Sequence, residues 1–183
     1  MAQTTRACPK VLALLETFYR PGEENAPWET EVVVGDRMPR PYRDLLVHDR
    51  DMTSTLAGYH RDEISLRVLD RVASPEHLAR HIVLQCGSAR RPVEYGASRI
   101  RLDSLDDPSR RKVLEGRVPL GGILNTHEVE YGNCPRAYFA VRSNGLIGSL
   151  FELKEPRWLY GRCNCLSDPL GNVIAEVVEI LPP

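Results

Sequence analysis

Residues 78–102 read LARHIVLQCGSARRPVEYGASRIRL. Two strand-length runs, 78–86 and 93–102, are rich in apolar and β-branched side chains. They flank Gly87-Ser88-Ala89-Arg90-Arg91, a cluster suited to a turn. That pattern predicts a β-hairpin. Immediately upstream, Ile64, Leu66 and Val68 alternate with Ser65 and Arg67, the period of a half-buried strand.

Working outward, the same logic places further elements. Pro108 opens a helix to about residue 115, because proline fits the first turn, where its missing amide has no helical partner to lose. Residues 119–124 form a tight turn leading into a short helix or strand, and 136–141 read as a strand. Two more strands, 159–166 and 173–181, are joined by Asp168-Pro169-Leu170-Gly171, where proline and glycine set the turn. Toward the N-terminus come a strand over 31–34, a helix around 43–48 and a helix ending at His60. Asp49 or Asp51 caps that last helix by accepting first-turn amides. A first helix covers 9–19 and stops at Pro21-Gly22. Strands that follow one another through hairpins predict one antiparallel sheet with helices segregated to one side, an α+β domain.

Composition bounds the function. The 183 residues suit one domain rather than two. Net charge is −1 with both signs interspersed, so neither nucleic acid nor a membrane surface is an expected partner. Five cysteines, an odd number without scaffold spacing, fit a reducing compartment and hence the cytoplasm. The apolar run 11–15 is interrupted by Glu16 and is too short for a signal segment, and nothing approaches a membrane span.

Two charges fall on faces that otherwise read as core. Side chains two apart on a strand share a face. Arg80 therefore keeps company with Ile82, Leu84 and Cys86, and Glu176 with Ile174, Val178 and Ile180. An unpaired buried charge is costly, so each needs a partner or a ligand. Either the two pair with each other or reach water at a strand end, or they form a pocket in which Arg80 grips a carboxylate and Glu176 handles protons. Cys163 and Cys165 share a strand face but lack further metal ligands, and read as core cysteines. His48, His60, His77, His81 and His127 show no metal spacing, and no phosphate loop, dinucleotide fingerprint or nucleophile elbow occurs. No nucleotide or metal cofactor is expected.

Four segments in order resemble the chorismate pyruvate-lyase family: Leu45-Leu46-Val47-His48-Asp49-Arg50-Asp51-Met52-Thr53, Leu78-Ala79-Arg80-His81-Ile82-Val83-Leu84, Pro119-Leu120-Gly121-Gly122-Ile123-Leu124, and Leu159-Tyr160-Gly161-Arg162 followed by Gly171 and Ala175-Glu176-Val177. The resemblance spans roughly 45–182 and leaves 1–44 as an N-terminal helix and connector of the same single domain (1–183). It implies a chorismate lyase-like antiparallel sheet with helical flaps over an enclosed ligand. Met52, Arg80, Leu120 and Glu176 would be substrate-binding, with Arg80 and Glu176 catalytic and no metal. The implied activity is cofactor-independent elimination of pyruvate from chorismate to give 4-hydroxybenzoate, which needs conformational restraint and charge placement. The alternative is non-catalytic binding of an aromatic carboxylate by a carrier or sensor. Gly122 and Ala97 stand where the family tends to carry basic residues, and 125–158 is longer than the family's stretch. The fold also resembles the effector domain of a family of transcription regulators, which carry a winged helix-turn-helix ahead of it. Some forty residues precede Leu45 here without a recognition helix, so no direct DNA contact is expected.

Overall fold

The hairpin over 78–102 is the inner part of a wide sheet. The computed structural model describes residues 13–18 and 29–183. Of the expected first helix, Ala13–Glu16 is helical (α1), while residues 9–12 and 19 and the Pro21-Gly22 stop lie outside the described residues. The strands are β1 (Thr30–Val33), β2 (Ile64–Ala73), β3 (His77–Cys86), β4 (Arg91–Arg101), β5 (Gly132–Arg142), β6 (Trp158–Ser167) and β7 (Val173–Leu181). The remaining helices are α2 (Tyr42–Leu46), α3 (Met52–His60), α4 (Asp107–Glu115), α5 (Leu120–Thr126) and α6 (Gly145–Leu150). Among the described residues, seven strands form one sheet in the order β1-β5-β6-β7-β4-β3-β2. Every pairing is antiparallel. The α+β class holds.

Local chemistry accounts for the boundaries. At the β3–β4 turn, Gly87 and Arg90 both take positive φ, at 68° and 52°. The Asp51 side chain accepts from the Ser54 amide at 2.8 Å and starts α3, and Asp106 does the same for Ser109 at 2.9 Å and starts α4. Strand β5 begins four residues before the expected 136. Among the described residues β1 pairs only with Tyr138–Val141, so at Pro135 that edge of β5 has no described partner strand and tolerates a missing donor.

Directly paired residues share a face, so the register sorts the core. One face carries Arg80, Ile82 and Leu84 of β3, Glu94 and Ser98 of β4, Val177 and Glu179 of β7, and Arg162 and Asn164 of β6. Helices α2 to α5 cover it, packing through residues such as Leu46, Leu56, Val113, Ile123 and Leu124. The other face carries Val83, Tyr95, Phe139, Val178 and Ile180, against Leu14 and Leu15 of α1 and Ile147 of α6. Helices therefore flank both faces, although one-sided segregation was expected. The overlooked element is α6, capped by the Asn144 side chain on the Ile147 amide at 3.0 Å. No helix among the described residues is long and apolar enough to cross a membrane.

Candidate functional site

The expected pair does not meet. Arg80 is directly opposite Ser98 on β4, and Ser98 is opposite Val177 on β7. Glu176 pairs instead with Arg99, one residue out of step, so Arg80 and Glu176 stand on opposite faces of the sheet. Nor is Glu176 buried: its side chain is 58% exposed and lies 3.5 Å from Arg99. Among the described residues, α1 and α6 pack over Tyr95, Phe139, Val178 and Ile180, and Glu176 lies at a hollow walled in part by Ala13 and Leu14. Of the two alternatives read from periodicity, the bland one describes Glu176.

The other expected residues share the α2–α5 face. Met52 at the start of α3 and Leu120 at the start of α5 are buried, and both line a cavity of about 50 Å³ against the sheet. By that measure it has room for roughly four water-sized groups. Leu66, Ile82, Leu84, Leu166 and Val177 supply its apolar wall, and Asp51, Thr53, Glu94, Ser98, Asn133 and Glu179 its polar residues. Gly121 lets α5 close on α3, since a Cβ there would sit 2.9 Å from Asp51 Oδ1. On β4, a Cβ at Gly96 would run into the Val178 carbonyl oxygen, so this strand approaches β7 closely only without a side chain.

The buried charges under this face are Glu94, Glu179 and Arg162. Arg162 is fully buried and donates through Nε to Glu179 Oε2. Its Nη1 donates to the carbonyls of Leu46 at 3.1 Å and His48 at 3.0 Å, and its Nη2 to that of Arg50 at 3.4 Å. The guanidinium thus fastens the segment between α2 and α3, which fixes Asp51 and Met52 over the cavity. Glu94 is raised well above the usual carboxylate range by burial first and then by the Glu179 charge, against an opposing pull from Arg162. Its Oε2 has no hydrogen-bond partner among the described residues, and the same is true of Ser98 Oγ and Asn164 Oδ1.

Arg80 is 1% exposed, as its face predicted, but its side chain turns away from this cavity. It lines a separate cleft of about 310 Å³ with Leu78, Asp70, Arg71 and the end of α4 at Val113 to Gly116. Its Nε and Nη1 are unpartnered among the described residues. Burial pulls the guanidinium down to about 10, so it remains charged at neutral pH.

The sequence matches no protein-family model and no curated protein. Among solved structures, the chain is similar to a GntR-family transcriptional regulator from Bacillus cereus, with a TM-score of 0.47 and 11% identity over 66% of this chain and 92% of that one. It is similar also to the effector domain of PhnF from Mycobacterium smegmatis, with a TM-score of 0.48 and 10% identity over 72% and 88% of the two chains. A third is the ligand-binding domain of a candidate GntR-family regulator from Bordetella bronchiseptica, with a TM-score of 0.45 and 12% identity over 63% and 83%. These neighbours are regulators and their binding domains, not lyases. The geometry corrects the lyase expectation: its catalytic pair, Arg80 and Glu176, is divided by the sheet.

Glu94, Glu179 and Arg162 were missed as site residues. Val93 and Tyr95 beside Glu94 are as buried as it is, so no alternation marks the carboxylate. Arg162 lay within the family-like Leu159-Tyr160-Gly161-Arg162 segment, but its partner, Glu179, stands directly opposite it on β7, a cross-strand pairing that only the register reveals.

Proposed function

We propose that this domain binds a small organic molecule, without turnover, between the sheet and helices α3 and α5, as a sensor or carrier module. One observation carries this reading. Glu94 Oε2 and Ser98 Oγ line a buried cavity and lack partners among the described residues. Leaving such groups unsatisfied costs about 1–3 kcal/mol each, and a bound polar ligand removes that cost. Met52 and Leu120 would supply the apolar lid over it. Two of the neighbouring structures, an effector domain and a ligand-binding domain, agree with this role. A regulatory role would bring nucleic acid through another part of an assembly, so the composition-based exclusion of nucleic acid speaks for this domain alone.

The test is a thermal-shift screen of a metabolite library on three proteins. Hits should stabilise the wild type and Glu176→Gln but not Leu120→Phe, which fills the cavity, and mass spectrometry should recover each hit unchanged. Hits that survive Leu120→Phe and vanish with Glu176→Gln would move the site to the other face.

Arg80 favours a second reading. Its charged guanidinium, with Nε and Nη1 lacking partners among the described residues, suits a carboxylate in the α4 cleft. Stabilisation by benzoate that disappears in Arg80→Met would support it; stabilisation unchanged in that variant would end it.

A further inference from the structure

The polar lining of the α3–α5 cavity is unbalanced. It holds three carboxyl groups, Asp51, Glu94 and Glu179, together with Thr53, Ser98 and the Asn133 amide, and no cationic side chain among the described residues. Cationic donors are directed elsewhere. All three nitrogens of Arg162 are engaged by Glu179 and by the carbonyls of Leu46, His48 and Arg50. Arg80 points into the α4 cleft. The Asn164 amide donates to Asn133 Oδ1 at 2.8 Å. The positive end of α3 is answered by its own cap, Asp51, which accepts from the Ser54 amide. What remains without a partner in the lining, among the described residues, is the Oε2 of Glu94, which accepts once Glu94 is ionised, and the Oγ of Ser98, which can accept or donate.

We propose that the cavity takes a cationic, hydrogen-bond-donating group, an amidinium, guanidinium or ammonium on a small apolar body, seated at the Glu94–Glu179 end. This rests on the binding reading above and names the ligand chemistry of the same site. A carboxylate placed there would meet like charge with no free cationic donor, which is the usual means of rejecting a wrong ligand. A donor cation would instead satisfy Glu94 Oε2 and provide the charge that lets Glu94 ionise.

Binding and proton release are therefore coupled. The groups around Glu94 are Glu179 from β7, Arg162 from β6 with His48 beside it, and Asp51 ahead of α3, while β3 and β2 present only Ile82, Leu84 and Leu66. In the free protein burial and Glu179 keep Glu94 protonated above the ordinary carboxylate range. A cation that binds the ionised form displaces that proton, so its affinity rises with pH.

Acetamidinium, acetamide and acetate share one shape and differ in charge, and they form the test set. Each is titrated into ¹⁵N-labelled wild-type protein while the amides of Glu94, Gly96 and Glu179 are followed. Acetamidinium should shift these amides with an affinity roughly tenfold or more above that of acetate. It should also tighten from about pH 6 to pH 8, while acetamide stays constant. In Glu94→Gln, acetamidinium and acetamide should become equivalent within about twofold. Should that variant fail to fold, the wild-type pH series decides, and a flat or falling acetamidinium affinity overturns the proposal. Acetate binding at these amides as tightly as acetamidinium would overturn it and leave the small-molecule reading intact. Silence from all three probes would also overturn it. If every hit of the metabolite screen were silent at these amides as well, the binding reading itself would fall.

Discussion

Glu176 and Glu179 lie three residues apart on one strand and live in different chemistry. Glu176 is open to solvent beside an equally open Arg99, at the rim of a hollow of about 490 Å³ lined also by Arg136, Cys163 and Cys165. Glu179 is 5% exposed, held by Arg162, and lines a cavity about a tenth that size on the other face. The larger hollow is the poorer candidate. Its charges, Arg99, Glu176 and Arg136, are solvent-facing, and Arg99 and Glu176 answer each other, whereas the smaller cavity keeps buried Glu94 and Ser98 atoms without partners among the described residues. Unsatisfied buried polar groups, rather than volume, mark the place where a ligand has something to gain.

That contrast is easiest to break at Arg162. Replacing it with Met leaves Glu179 buried without its cation and releases the carbonyls of Leu46, His48 and Arg50. Denaturant unfolding should show a loss of about 3–5 kcal/mol. A loss below about 1 kcal/mol, the range of exposed pairs, would erase the distinction between the two glutamates.

Arg80→Met should act in the opposite direction. Trading a buried cation whose Nε and Nη1 lack partners among the described residues for an apolar side chain should be neutral or stabilising, up to about 4 kcal/mol, in the absence of ligand. A large destabilisation would mean that Arg80 has a structural partner.

Glu94→Gln sharpens the comparison through pH. An acid whose folded pKa is raised binds its proton more tightly folded than unfolded. Its stabilising contribution is complete below the unfolded value and is lost as pH rises through the folded one. The variant should therefore match the wild type near pH 4 and gain on it as pH climbs toward 8, by roughly 1 kcal/mol. A gain that does not grow with pH would mean that Glu94 ionises normally. The smallest effect belongs to Glu176→Gln, expected to change stability by less than about 1 kcal/mol and to lose that little in high salt.

Much of the fold was legible because its hairpins combine period-two alternation with glycine- and proline-bearing turns: 78–102 and 158–181 read almost as they stand. The face of Arg80 was legible for the same reason. Alternation also grouped Glu176 correctly with Val178 and Ile180. It could not say that the cover ends before Glu176, because cover comes from α1 and α6, distant in sequence. Glu94 and Glu179 escaped because β4 and β7 are buried on both faces over much of their length, which removes the alternation that would expose a charge. The reach of Arg162 to residues 46–50 is a long-range contact that no local pattern announces.

The central claim is that the ligand sits under α3 and α5 and not on the open face. Amide shift mapping of the best hit from the metabolite screen tests it most directly. Perturbations should centre on Met52, Glu94, Ser98 and Leu120, with Arg99, Cys163 and Glu176 unmoved; shifts centred on Arg99, Cys163 and Glu176 would place the ligand on the opposite face of the sheet.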